Sequence, residues 1–322
     1  MRWEYQKGLH DLGNGSYAWL APDGTWGWSN AGLIVDSGES LLVDTLFDLR
    51  MTQEMLDSMR SAEPQAAASI GTLVNTHANG DHCHGNELVH GAEVIASKAS
   101  AEEMAEVTPE MLAGMMDMAA DGEDDLSGYL RHCFGAFDFH GIRHTPPTRT
   151  FTKNLSLDVG NKKVELIEVG PAHTRGDVLV HVPEDRTVFT GDILFIGGTP
   201  IMWAGPVERW IDACRRIEEM DVETVVPGHG PITDAQGAAE VRGYLEWLRA
   251  EARDRFDAGM EAVEAAKDIA LGPYADWSDA ERIAVNVHTM FQDFAAKDTS
   301  PSTLELFTSM ATLRQFQTRS IN

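Results

Sequence analysis

The sequence predicts an α/β fold in which short strands alternate with helices, and three observations carry that expectation. Short apolar runs bounded by Gly, Pro, Asp and Ser recur from residue 16 to residue 226, which is strand punctuation. Helical periodicity occupies several of the intervals between them. A His or an Asp follows directly on four of the runs, as sites at strand ends of layered α/β folds require.

Taken in order, residues 16–20, 31–36 and 41–44 read as strands. Residues 48–59 carry Leu49, Met55, Leu56 and Met59 on one helical face. Ile70 to Asn75 is a short buried strand leading into a histidine-rich segment, after which a helix is expected, and Ala92 to Ala96 is another strand. Residues 98–145 break the rhythm with Met104, Met111, Met115, Met116 and Met118, then Phe134, Phe137 and Phe139, and close at Pro146-Pro147. This segment is expected to be a helical insertion that acts as a lid over the site. Strand signals return at 151–157, 163–169, 178–182 and 187–190. A helix at 207–220 and a strand at 224–226 follow. From Asp234 the pattern is helical, with Val241, Tyr244, Leu245 and Leu248 on one face, and 277–316 reads as helical too. The chain therefore divides into a site-bearing unit over 1–235 and a helical C-terminal extension over 236–322.

Composition limits the function. Of the 322 residues, 43% are hydrophobic, enough for a sizeable core. The formal net charge of −26 argues against nucleic acid and anionic membrane as partners, since both need a basic surface. Three cysteines, Cys83, Cys133 and Cys214, do not make a disulfide framework. Residues 1–7 hold no apolar run suited to a signal peptide, and no later stretch reaches the roughly 18 apolar residues of a membrane helix. A cytoplasmic protein is expected.

The strongest chemical signal is Thr76-His77-Ala78-Asn79-Gly80-Asp81-His82, directly after an apolar strand. In extended backbone, residues two apart project to one side, so His77 and Asn79 can face one point. Asp81 and His82, at the following turn, can face a neighbouring one. Two imidazoles and a carboxylate so close together are a dense supply of ligands for zinc or a similar ion. Alone, the segment also reads as a polar helix start with Asp81 as cap. Three further segments shift the balance: Pro171-Ala172-His173, Thr190-Gly191-Asp192 and Pro227-Gly228-His229, each after an apolar strand. Core packing has no need for a His or Asp at four strand ends.

In order and spacing these residues resemble the metallo-β-lactamase superfamily, whose pattern is His-x-His-x-Asp-His, then His, then Asp, then a His in a Pro-Gly-His-Gly turn. The resemblance spans about residues 15–235. It implies an αββα sandwich with the metal site at one edge. It also implies a first metal position at His77 and His173, a second at Asp81, His82 and His229, and Asp192 as a bridge. By the same likeness a metal-bound hydroxide is the nucleophile, with Asp81 and Asp192 as catalytic carboxylates. Asn79 departs from the pattern by standing where the family has its second histidine. A neutral amide oxygen is a poorer zinc ligand than imidazole, so the first position is expected to be the weaker. Zinc is the expected cofactor, one or two ions per chain, with manganese or iron as alternatives. The missing histidine counts against the family's iron-dependent persulfide dioxygenases.

The expected function is metal-dependent hydrolysis of a small, partly apolar ester, lactone, thioester or activated aryl ether. Trp203, in the apolar loop 195–206, and Phe137, in the insertion, are the candidate substrate-binding residues. That loop could equally lie buried under the C-terminal helices. The competing reading is a protein of the same fold that binds a ligand or a homologous partner subunit with little or no turnover. Homo-oligomerisation is left open.

Overall fold

The protein is described by a computed structural model covering residues 3–269, 271–296 and 302–321. Its strands fall into two sheets. The first runs in chain order through β1 (Gly8–Gly13), β2 (Ser16–Leu20), β3 (Ala31–Asp36), β4 (Glu39–Val43), β5 (Thr72–Val74), β6 (Glu93–Ser97) and β7 (Arg149–Phe151). The second comprises β8 (Asn154–Val159), β9 (Lys162–Glu168), β10 (Val178–Val182), β11 (Thr187–Phe189) and β12 (Thr224–Val226). Neighbours are antiparallel from β1 to β4 and from β8 to β11, while β4 to β7 and the β11–β12 pair are parallel. Parallel neighbours need crossovers, supplied by α1 (Leu49–Ala62) between β4 and β5 and by α5 (Val207–Glu219) between β11 and β12. Helices α2 (Lys98–Glu103), α3 (Pro109–Ala120) and α4 (Asp125–Phe134) lie between β6 and β7. The C-terminal helices are α6 (Ala235–Asp257), α7 (Ala262–Asp268), α8 (Ile283–Ala295) and α9 (Thr303–Ile321).

Strand alternation sets the layers. Ile34, Leu41 and Val43 from the first sheet meet Val164, Leu166, Val178, Val180 and Val182 from the second in one buried cluster. The alternate residues Leu33, Leu42 and Leu179 turn outward to pack under the helices with Met55, Trp210 and Leu245. The result is the αββα sandwich.

Three local expectations need correction. The segment after His77 does not open a regular helix: two short 3-10 turns, Gly80–His82 and His84–Leu88, take its place. Strand β1 was not anticipated, because its residues are mostly half-exposed and carry no apolar run. The strand expected over 151–157 is broken at Lys153, whose φ of +67° ends β7 and starts β8. Within the helical expectation for 277–316, residues 297–301 lie outside the described residues.

Candidate metal centre

Each segment singled out in the sequence leaves the C-terminal end of a strand. His77 follows β5, His173 follows β9, Asp192 follows β11 and His229 follows β12. Because β9, β11 and β12 point the same way, as do β4 and β5, these ends gather along one edge of the sandwich.

Asp192 is the hub. Its Oδ1 is 3.1 Å from His82 Nε2, and its Oδ2 is 3.2 Å from His173 Nε2, 3.5 Å from His229 Nε2 and 3.7 Å from His77 Nε2. His229 Nε2 is also 3.3 Å from Asp81 Oδ2. Two ligand groups result, His77–His173–Asp192 and Asp81–His82–His229, with donor atoms in each within 4.8 Å of one another. His77, His82 and His173 are fully buried. Asn79 lies beside the first group, with its amide Nδ2 3.2 Å from His173 Nε2.

Every one of the four imidazoles is fixed through its other nitrogen. His77 Nδ1 meets Thr76 Oγ1 at 3.0 Å, and that hydroxyl donates to Asp44 Oδ2 at 2.7 Å. The same Asp44 oxygen meets His82 Nδ1 at 2.9 Å, while Asp44 Oδ1 accepts from Thr76 N. His173 Nδ1 donates to the carbonyl of Ile201 at 2.6 Å, and His229 Nδ1 to that of Gly24 at 3.1 Å. Such outer partners place N–H on Nδ1 and aim Nε2 inward, the arrangement of metal-ligating histidines. His77 Nε2, His82 Nε2 and Asp192 Oδ1 are buried without a hydrogen-bond partner, which buried polar atoms seldom tolerate. Gly228 also bears on the hub: a side chain there would run into Asp192 Oδ1. Orphaned nitrogens converging on a carboxylate fit a divalent cation.

Charge follows the same division. Burial pushes His77 and His173 down, His173 to about 4, so the first group offers neutral imidazoles. Burial also weighs on His82 and His229, but Asp192 leads the carboxylates that outweigh it, raising His82 well above the usual range and His229 to about 9. Burial opposes charge on both carboxylates, yet the surrounding imidazoles hold Asp192 well below the usual range and Asp81 at about 2. A cation held between Asp81, His82 and His229 would take the place of the protons that keep those two imidazoles charged.

The sequence assigns no role to Asp44, and Thr76 enters it only as the first residue of the histidine-rich segment. The signal was present, since Leu41-Leu42-Val43-Asp44 has the same strand-then-acid form as the segment before Asp192. Asp44 adopts a φ of +63°, a conformation uncommon outside glycine but one in which Asp is enriched. The carbonyls of Gly24 and Ile201 have no sequence signal, because any residue could supply them.

The substrate candidates fall differently. Trp203 is half-buried, and its backbone N–H donates to the His173 carbonyl at 2.9 Å. Phe137 sits in the hydrophobic core instead, its ring 5.0 Å from Phe47 and 5.1 Å from Trp28. From the insertion, Met104 packs with Ala78 and Cys83 of the ligand segment, whereas Met111 and Met118 point to solvent, the latter 76% exposed. His84 is buried beneath the ligand segment, where a side chain on Gly80 would strike its ring. Loop 195–206 lies against the C-terminal helices, one of the two alternatives left open for it. One side is tied to the C-terminal helices by Met202 N to Asn286 Oδ1 and Asn286 Nδ2 to the Pro200 carbonyl, each 2.8 Å. The other side supplies the Ile201 carbonyl to His173.

Comparison with known proteins agrees with this geometry. The family model of the metallo-beta-lactamase superfamily matches residues 24–229. Among curated relatives, an acyl-coenzyme A thioesterase MBLAC2 from Gallus gallus is 26% identical over 210 residues, covering 62% of this chain and 72% of its own. A hydroxyacylglutathione hydrolase from Maricaulis maris is 26% identical over 179 residues, covering 54% of this chain and 51% of its own. Among solved structures, the sec-alkylsulfatase Pisa1 from Pseudomonas sp. superposes with a TM-score of 0.66 at 15% identity, over 89% of this chain and 50% of that one.

Proposed function

From the premise that the chain belongs to the metallo-β-lactamase superfamily and is a hydrolase of it, we propose that it hydrolyses a small, partly apolar carboxylic ester of the thioester or lactone type at a metal centre. The observation that carries this is the convergence of four inward-aimed imidazole Nε2 atoms on Asp192. His77, His173 and Asn79 would hold the first position, Asp81, His82 and His229 the second, and Asp192 both; zinc suits such nitrogen and oxygen donors. A divalent ion held by these residues would supply a nucleophile at neutral pH by lowering the pKa of water and would polarise the substrate carbonyl.

The rest is done by the chain. Asp44, Thr76 and the Gly24 and Ile201 carbonyls keep the four rings from rotating. Asp81 is the most open of the acidic ligands, its side chain 12% exposed against 3% for Asp192. Asp81 is therefore the acidic residue best placed to meet attacking water and pass its proton to the leaving group. Trp203, on the loop beside His173, offers an apolar surface to the acyl portion. Among the described residues no helix is long and apolar enough to cross a membrane. Together with three buried free cysteines, this supports a cytoplasmic location as part of the proposal.

The test is metal analysis of purified protein together with a panel of chromogenic thioesters, lactones, esters and β-lactams. Metal-dependent turnover of a thioester or lactone is expected, abolished in Asp192→Asn and His229→Ala while both variants remain folded. Turnover at the wild-type rate in either variant, or a wild type that binds no metal, overturns the proposal.

A further inference from the structure

We propose that Arg282, which enters α8 from the C-terminal extension, is a positioning residue for His229, so that the extension forms part of the metal site. This rests on the metal-hydrolase reading above. Arg282 lies outside the residues that the family model matches, and it is 1% exposed.

Its guanidinium reaches two separate loops. It stands over the Trp26 ring with Cζ 4.3 Å from the centroid, and 5.4 Å from the centroid of Phe195. One nitrogen donates to the Thr199 carbonyl at 3.0 Å, and another pairs with Asp279 at 3.1 Å. Both loops end on His229. Phe195 stacks on the His229 ring, centroids 5.0 Å apart and planes 4° from parallel, and the next residue, Ile196, donates its N–H to the His229 carbonyl. The Trp26 loop carries the Gly24 carbonyl that receives His229 Nδ1. Ring tilt and ring rotation of His229 are thus each set by a loop that the same buried cation holds.

Stability alone does not call for an arginine there. A buried charge costs desolvation, and an apolar side chain of similar volume often serves the fold as well. Arg282 Nε lacks a partner besides. What an apolar side chain cannot do is grip a carbonyl on one loop and the face of an indole on another. That takes a planar, multi-donor cation. Asp279, Glu281 and His132 lie close enough to suggest a third ligand group. Arg282 and Arg314 already neutralise its acids, Glu281 pairing with Arg314 at 2.9 Å. Within that cluster it is Asp279 that braces Arg282.

Cobalt(II) titration of the full-length protein, by chelator competition and by its visible spectrum, tests this. Outer-shell changes typically weaken a metal by roughly 10–100-fold, and Arg282→Met should do so at one of the two positions and alter that position's spectrum. The position containing His173 should keep its affinity, because Asn286 independently holds Pro200 and Met202 on either side of the Ile201 carbonyl that receives His173. Arg282→Lys should restore the affinity only in part, since an ammonium cannot serve both loops. The melting temperature of metal-free protein, read alongside, separates loss of fold from loss of aim. Arg282→Met that takes up cobalt with wild-type affinity and spectrum overturns the proposal, whatever its melting temperature. Should that variant fail to fold, Phe195→Leu removes the ring between Arg282 and His229, a ring that also lies 5.5 Å from that of His173, and must weaken the position containing His229; unchanged cobalt binding there overturns it equally. A wild type that binds no cobalt overturns instead the hydrolase reading.

Discussion

At Asn79 a neutral amide stands where the family pattern has an imidazole, and the consequence is confined to one half of the site. In the proposed site the first position would have His77, His173 and a share of Asp192, and the second His82, His229, Asp81 and the other share. Affinity follows ligand type and number. Protein dialysed without added metal should therefore retain closer to one ion than two, held at Asp81, His82 and His229. In Asn79→His, metal analysis after the same dialysis should move towards two. Two equally tight ions in the wild type, unmoved by the substitution, would show that the amide is no handicap. Residue chemistry was the part most open to sequence reading: His77, Asp81, His82, His173, Asp192 and His229 were all singled out, and the fold brings them together. Phe137 was not so legible. An aromatic residue in an irregular segment gives the same signal whether it faces a substrate or, as here, the core.

At the scale of elements, loop 195–206 links the site to the C-terminal helices. Asn286 of α8 is fully buried and serves Met202 N, the Pro200 carbonyl and the Tyr244 hydroxyl. Asn286→Ala leaves these groups unpaired, at a cost of about 1–3 kcal/mol for a buried orphan. The melting temperature should fall by a few degrees, at roughly 2 °C per kcal/mol in a chain of this size. Metal affinity should weaken at the position of His173, whose partner Ile201 lies between the two tethered residues. A stability loss with unchanged affinity would confine Asn286 to a packing role. Buried strands such as β10 and β12 were legible because both of their faces are covered, whereas β1, half-exposed, had no apolar run to betray it. The turns after His77 differ from the expectation for a related reason: Asp81 and His82 look like a helix start, but the His82 carbonyl accepts from Thr45 N and Asn75 Nδ2 instead of from a helical turn.

For the whole molecule, a cluster of four imidazoles and three buried carboxylates is a standing cost until a cation fills it. Metal binding should therefore stabilise the fold. Zinc at about 100 times its Kd adds about 2.7 kcal/mol, which at roughly 2 °C per kcal/mol raises the melting temperature by about 5 °C. Differential scanning calorimetry with zinc and with a chelator checks this, and coincident transitions would count against a metal in the native protein. The sequence by itself determined the layered α/β class and the ligand types at the strand ends, because hydrophobic period and residue chemistry are local properties of a chain. Only the tertiary structure decided what aims those ligands. Asp44 reaches His82 across 38 residues, Ile201 reaches His173 across 28, and Gly24 reaches His229 across 205. Two of these partners are backbone carbonyls, which every residue type carries, so only the folding of distant segments onto one edge could single them out.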